Sequence, residues 1–463
     1  MNIALRPSKI IRRLSKIIRA TALVASLFVS MFAATLAHGQ LEIDIVHGAP
    51  EPVPVAIPDF LSSHPETDQI AKDMAAVISA NLERSGLFRV LDQDTYIEKQ
   101  TDINYQPRFA DWRVIDAKAL LSGQIVREGP NRLKVEFRLW DIYANEQLDG
   151  KRLATTPDNW RRIAHKISDY IYKRLTGEGG YFDSRIVYIA ESGPKTNRRK
   201  RLAIMDADGA NARNLLADSD LVLTPRFSPV FEERGARKKV QLITYLSWET
   251  GRPQVFLQEI ETGNRELLGN FSGMTISPRF SPDGRKLIFS MVKRGNSDIY
   301  VFDRGSRSTT RLTTNQAIDV SPSFSPDGRK IVFNSDRGGS PQLYIMDADG
   351  SNVKRLSFGD GRYTAPSWSP RGDLIAFTKS NKGKFHIGVM EANTGKGERL
   401  LTNSYLDEGP TWSPNGRVIL FTRETRGRNA RASIWSVDLT GRNLQKVPTP
   451  GAASDPAWSP ILP

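Results

Sequence analysis

The sequence predicts an α/β N-terminal domain followed by an all-β six-bladed β-propeller closed by the C-terminal strand. One five-residue phrase occurs six times, as PRFSP from Pro225, PRFSP from Pro278, PSFSP from Pro322, PSWSP from Pro366, PTWSP from Pro410 and PAWSP from Pro456. Its spacings are 53, 44, 44, 44 and 46 residues, close to the roughly 40 to 45 that one four-stranded blade occupies. A second cassette of strand, tight turn and strand also recurs six times, at Ile204, Glu259, Val301, Gln342, Val389 and Trp435.

The unit from Pro322 illustrates one blade, with strands lettered A to D in order. Ser323-Phe324 is strand A, and Ser325-Pro326-Asp327-Gly328 is a turn whose proline and Asp-Gly pair supply the required backbone angles. Arg329 to Ser335 carries the β-branched and aromatic residues of strand B, and Gln342 to Met346 makes strand C. Asp347-Ala348-Asp349-Gly350 then turns the chain into strand D, Asn352 to Ser357.

The two repeats are out of phase at the chain's ends. Arg185 to Ala190, Arg201 to Asp206 and Ala212 to Ala217 supply strands B, C and D before any phrase, while the sixth phrase stops at Ile461-Leu462-Pro463. A C-terminal strand A therefore completes the first blade, and a closed ring has no free sheet edge. The long first interval holds a charged insertion, Phe231 to Lys239, in the A–B turn, expected as a surface excursion.

The N-terminus reads as a cleavable secretory signal peptide, residues 1–37. Its stretch to Ala37 holds six Lys or Arg and no acid, with an apolar run from Thr21 to Ala37 and a cleavage signal at Thr35-Leu36-Ala37. An uncleaved membrane anchor is the alternative, and in both cases the rest of the chain is exported, so the periplasm is the expected compartment. The chain has no cysteine, which excludes a lipidated N-terminal cysteine, disulfides and thiolate metal sites. The formal charge of +14 divides as +6 over the leader, −4 over residues 41 to 182 and +12 over residues 183 to 463. Export makes nucleic acid an improbable partner for the basic ring; acidic proteins or anionic envelope polymers suit it better.

The α/β domain is expected over residues 41–176. Residues 53 to 57 read as a strand, Asp68 to Arg84 as a helix with Ile70, Met74, Val77, Ile78 and Leu82 on one face, and Phe88 to Leu91 as a second strand. Ala119 to Val126 and Leu133 to Trp140 are further strands, and Asn159 to Leu175 is an amphipathic helix. Gly177-Glu178-Gly179-Gly180 opens a linker, 177–182, before the propeller, 183–463. Leu41 to Pro54 alternates Leu41, Ile43 and Ile45 with the acids Glu42 and Asp44, a pattern able to pair as an added strand on this protein or another.

Catalytic signatures are missing from the sequence. It has no Gly-x-Ser-x-Gly elbow, cysteine nucleophile, His-Glu-x-x-His or P-loop, and its five histidines have no partner visible by spacing. The Asp-Gly pairs lack the acid spacing of calcium loops and read as turn chemistry. The phrase aromatics read as blade-to-blade packing. No cofactor or metal is expected. The segments entering strand A are the least repetitive part and open on one mouth of the ring, where binding specificity usually resides. Met274, Asp319, Tyr363, Tyr405, Asp407, Glu408 and Asp455 are the expected exposed anchors there.

An exported chain with a small α/β domain, then six blades with [Phe/Trp]-Ser-Pro-Asp-Gly repeats, resembles the TolB family, periplasmic components of bacterial Tol-Pal systems. The resemblance covers nearly everything after the leader and implies a non-enzymatic, monomeric adaptor. It implies that the propeller mouth receives the lipoprotein Pal and that the mature N-terminus, here Leu41, Glu42, Ile43, Asp44 and Ile45, engages TolA. It further implies coupling between the two sites, indirect links to peptidoglycan and outer membrane, and support of envelope integrity during division. The alternatives are an exported propeller hydrolase and a peptidoglycan- or carbohydrate-binding ring.

Overall fold

The computed structural model describes residues 41, 43 and 51–463, apart from 195–196, 217–220, 236–237, 250, 270 and 428–429. The leader, with Glu42, Asp44 and Ile45, lies outside the described residues. No helix among the described residues is long and apolar enough to cross a membrane.

Residues 51 to 176 form a mixed sheet with two long helices on one face and a short helix on the other. Its strands are β1 (Val53–Ala56), β2 (Leu61–Ser62), β3 (Phe88–Val90), β4 (Ala119–Gly129), β5 (Arg132–Asp141) and β6 (Glu146–Thr155). The order is β3-β1-β4-β5-β6, with β2 also on β4; β1 runs parallel to both neighbours and β4-β5-β6 is an antiparallel meander. Helices α1 (Pro65–Arg84) and α3 (Trp160–Thr176) pack together on the sheet. Along β5, Leu133, Val135, Phe137 and Leu139 are all buried, as their alternation predicts. A smaller core with Trp112, on the short helix α2 (Phe109–Val114), joins Tyr96, Leu120 and Trp140. Sequence reading missed β6 and α2: the first is amphiphilic only in part, and the second is a single apolar turn and a half among loops.

Helix α3 ends on Gly177 at φ 72°, the left-handed cap that glycine adopts without a Cβ penalty. Asp169 of α3 then accepts the backbone N–H groups of Phe182 (2.8 Å) and Asp183 (3.0 Å), which fixes the linker against the helix.

Six four-stranded antiparallel sheets complete the chain. Blade 1 combines Arg185–Ser192, Arg199–Asp206 and Arg213–Asn214 with the C-terminal strand Ala452–Trp458 as its innermost member. Blades 2 to 6 have inner strands Val222–Arg234, Met274–Phe280, Asp319–Phe324, Arg362–Trp368 and Leu406–Trp412. Each inner strand touches the next around the circuit, and Ala452–Trp458 touches those of blades 2 and 6. The expected excursion at Phe231 to Lys239 is instead an extension of the hairpin: Phe231 and Glu232 pair with Gln241 and Val240.

One backbone device recurs in every blade. The residue before each phrase proline, Thr224, Ser277, Ser321, Ala365, Gly409 or Asp455, has φ between 47° and 66°. The ladder register slips there by one residue, a β-bulge. Only one of the six is glycine, so five positions hold a conformation that L-residues rarely adopt. Part of the compensation comes from the preceding blade: the freed N–H groups of Ser321, Gly409 and Asp455 donate to Ser290 Oγ (3.1 Å), Thr378 Oγ1 (3.1 Å) and Thr422 Oγ1 (2.9 Å). The phrase serine then closes the A–B turn, as where Ser325 Oγ donates to Asp327 Oδ1 (2.5 Å) and accepts from Lys330 N (2.9 Å).

Candidate functional site

The A–B and C–D turns share one face of the ring, and residues 51 to 180 sit on it. Glu178 is clamped by Arg371 (2.9 Å) and Arg417, and Asn415 Nδ2 donates to Gly179 O (3.0 Å). Hydrogen bonds from Arg417 and Arg371 hold the Glu178 carboxyl below its usual range, overcoming the desolvation that would raise it. Asn443 Nδ2 donates to Arg84 O (2.8 Å), and Arg161 pairs with Asp208.

The opposite face carries the connections from strand D of one blade to strand A of the next. Among the described residues, five of these six connections present a large exposed apolar side chain: Leu221, Met274, Ile318, Phe358 and Tyr405. Met274 is 47% exposed, Ile318 50% and Phe358 74%. Together they form a broken apolar crown around the ring's mouth. Arg355 lies over the Phe358 ring (5.0 Å) and Arg426 over that of Tyr405 (4.6 Å), leaving cationic and aromatic surface side by side. Exposed apolar surface gathered in one place marks an interaction site more often than the same residues scattered singly.

The seven sequence-predicted anchors divide between the crown and the blade interior. Met274 and Tyr405 are exposed in the crown, Glu408 is exposed beside the channel, and Asp455 is half-buried at its bulge. Desolvation, then repulsion from Asp455 and Glu424, pushes the Glu408 carboxyl up; the group touches water yet lies among protein walls. Asp319, Tyr363 and Asp407 are not exposed anchors, since each is fully buried. They belong to strand A, which starts earlier than the phrase suggests, and alternation turns their side chains into the blade. Asp319 takes two bonds from Arg337 Nη2 (2.9 and 2.7 Å), and Asp407 is held bidentately by Arg423 (2.7 and 2.8 Å). Tyr363 Oη donates to Glu398 Oε2 (2.7 Å), and burial pushes its hydroxyl up to about 12. Sequence reading passed over Leu221, Ile318 and Phe358; for Leu221 and Ile318 the available signal was an apolar residue directly before strand A, where Tyr405 also stands.

Of the predicted N-terminal segment, Leu41 and Ile43 are described. Ile43 N donates to Leu175 O (2.7 Å), and its buried side chain shares a core with Leu175, Tyr181 and Phe182. Leu41 N reaches Asp141 Oδ2 (3.3 Å). Leu41 and Ile43 thus dock on their own chain near the end of α3.

Buried His165 and Asp208, with half-buried Asp206, form a group between α3 and the first C–D turn that no spacing in the sequence reveals. Asn81 Nδ2 donates to His165 Nδ1 (2.9 Å), so the ring hydrogen sits on Nε2, 3.8 Å from Asp208 Oδ2. Arg161 already lies against Asp208, and the group fits an interdomain latch better than a ligand set for a cation.

Comparison with known proteins agrees with this architecture. The family model described as the TolB beta propeller domain matches residues 172–462, and that described as the TolB amino-terminal domain matches residues 41–148. The crystal structure of TolB from Acinetobacter baumannii is 31% identical over 91% of this chain and 100% of its own, with a TM-score of 0.77. The structure of a putative TolB from Agrobacterium tumefaciens is 20% identical over 59% of this chain and 90% of its own, with a TM-score of 0.45.

Proposed function

The chain belongs to the TolB family, and from that premise we propose that it is a non-enzymatic periplasmic adaptor of a Tol-Pal envelope system. In this reading the crown receives the lipoprotein Pal, while residues 41 to 45 engage TolA. The complex links inner membrane, peptidoglycan and outer membrane and supports envelope integrity during division.

The observation that carries the reading is the crown on the face away from residues 51 to 180. Its five apolar side chains come from five different connections, so only the assembled ring brings them together. Apolar and aromatic anchors next to Arg355 and Arg426 suit a protein partner's surface, where a few such residues supply most of the affinity. The docking of Ile43 against Leu175 supports a segment that exchanges between its own chain and TolA, since two hydrogen bonds and the Leu41 and Ile43 side chains hold the described part.

The test is calorimetric titration with the soluble domain of Pal from the same bacterium, followed by TolA capture with and without residues 41 to 45. Saturable Pal binding is expected, with TolA capture lost on the deletion and Pal binding retained. A folded chain that binds no Pal contradicts the reading.

A further inference from the structure

Six residues occupy one equivalent position, directly after the phrase proline, on the six inner strands: Arg226, Arg279, Ser323, Ser367, Thr411 and Ala457. All six line one cavity of about 740 Å³ among the phrase residues, at the opposite end of the ring from the crown. Two adjacent blades therefore contribute guanidinium groups, the next three contribute hydroxyls, and the last a methyl. The other walls are mainly phrase aromatics and prolines, which bring no charge of their own.

These two arginines differ from the arginines described above. Arg337 and Arg423 each meet a buried carboxylate. Arg226 and Arg279 have no carboxylate within ion-pair distance among the described residues; Arg226 Nη1 donates to Pro225 O (2.6 Å), and Arg279 Nη1 donates to Ser367 Oγ (3.3 Å), two blades away. Arg279 Nε is buried without a hydrogen-bond partner among the described residues. Burial and the neighbouring Arg226 charge push the Arg279 guanidinium down to about 9, and burial lowers Arg226 against the pull of Asp455. Two half-buried like charges with a donor unspent are a costly arrangement when nothing neutralises them.

We propose that this cavity binds a small divalent oxyanion, phosphate or a short dicarboxylate, between Arg226 and Arg279, with Ser323, Ser367 and Thr411 as hydroxyl donors. The planar guanidinium fork presents parallel donors that match a carboxylate or phosphate edge. Aromatic and proline side chains line much of the cavity, so the attraction is less screened than on an open surface. The site is separate from the crown and does not depend on the Pal reading.

The test is thermal unfolding and calorimetric titration of the chain as the cell processes it, in chloride buffer, with inorganic phosphate, succinate or acetate. Phosphate or succinate is expected to raise the melting temperature saturably, with monovalent acetate much weaker; which dianion acts more strongly distinguishes phosphate from carboxylate. A double variant, Arg226→Gln with Arg279→Gln, should weaken that binding at least about tenfold, and Ser367→Ala gives a milder variant should the double fail to fold. Absence of stabilisation by both dianions in folded wild-type chain, or undiminished binding by a folded double variant, overturns the site.

Discussion

Asp319 and Asp407 show what one position of strand register does to a side chain's role. Two residues before each bulge the pleat still points inward, and a carboxylate placed there must bring its own cation, as Arg337 and Arg423 do. Removing one partner of such a pair leaves the other buried and uncompensated. Asp407→Asn is accordingly expected to lower unfolding stability by about 3 kcal/mol in chemical denaturation. A stability within about 0.5 kcal/mol of wild type would return Asp407 to the surface anchors. His165 makes a second case. Burial first, with Arg161 and Arg84 adding to it against Asp208, lowers its imidazole to about 4 from the ordinary 6.5. The folded pKa is depressed, so the unfolded chain takes up the proton first on acidification. Stability should be full above pH 6.5 and fall as the pH drops towards 4, by on the order of 3 kcal/mol. His165→Gln should flatten that part of the profile, and a variant as acid-sensitive as wild type there would contradict the assignment.

At the scale of elements, the repeated phrase was legible because each of its parts has a local job. Proline and Asp-Gly make the turn, serine closes it, and the aromatic packs at the blade boundary, as Trp412 does through Nε1 to Ser367 O (2.9 Å) of blade 5. What the phrase did not reveal was the length of strand A before it. The bulge breaks alternation between the phrase and the residues upstream, so the inward positions Asp319, Tyr363 and Asp407 read as loop. The outer strands are shorter than expected: within Asn352 to Ser357 the ladder pairs Lys354–Arg355, and Leu356 N adds one bond to Leu343 O (2.8 Å). The C-terminal strand is the element with the largest expected effect. Ala452–Trp458 pairs with Arg185–Ser192 from the other end of the domain, and 274 residues separate Arg185 from Ser459, with Arg185 N donating to Ser459 Oγ (2.8 Å) and Ser459 N to Arg185 O (2.9 Å). Deleting residues after Ala453 should expose two sheet edges and abolish the cooperative melting transition. A truncated chain that melts as wild type does would mean that the ring is held without this strand.

The whole molecule presents two working ends on one set of inner strands. One end is apolar, built from connections that vary between blades; the other is a cavity lined by repeated residues and two arginines. Sequence reading identified two crown members and assigned the wrong exposure to three anchors, because a crown exists only once six blades are placed around an axis. It could not pair His165 with Asp208 or set Arg279 against Ser367, both contacts between distant segments. The central claim is that the crown is the surface that receives Pal, and Pal titration against Met274→Asp with Ile318→Asp tests it most directly. Each change places a charge in the apolar patch at a side chain about half exposed, so the fold should be unaffected. The expected result is an unchanged melting temperature with Pal affinity reduced at least about thirtyfold, about 2 kcal/mol. Full affinity in the folded double variant would contradict the claim and move Pal elsewhere on the ring.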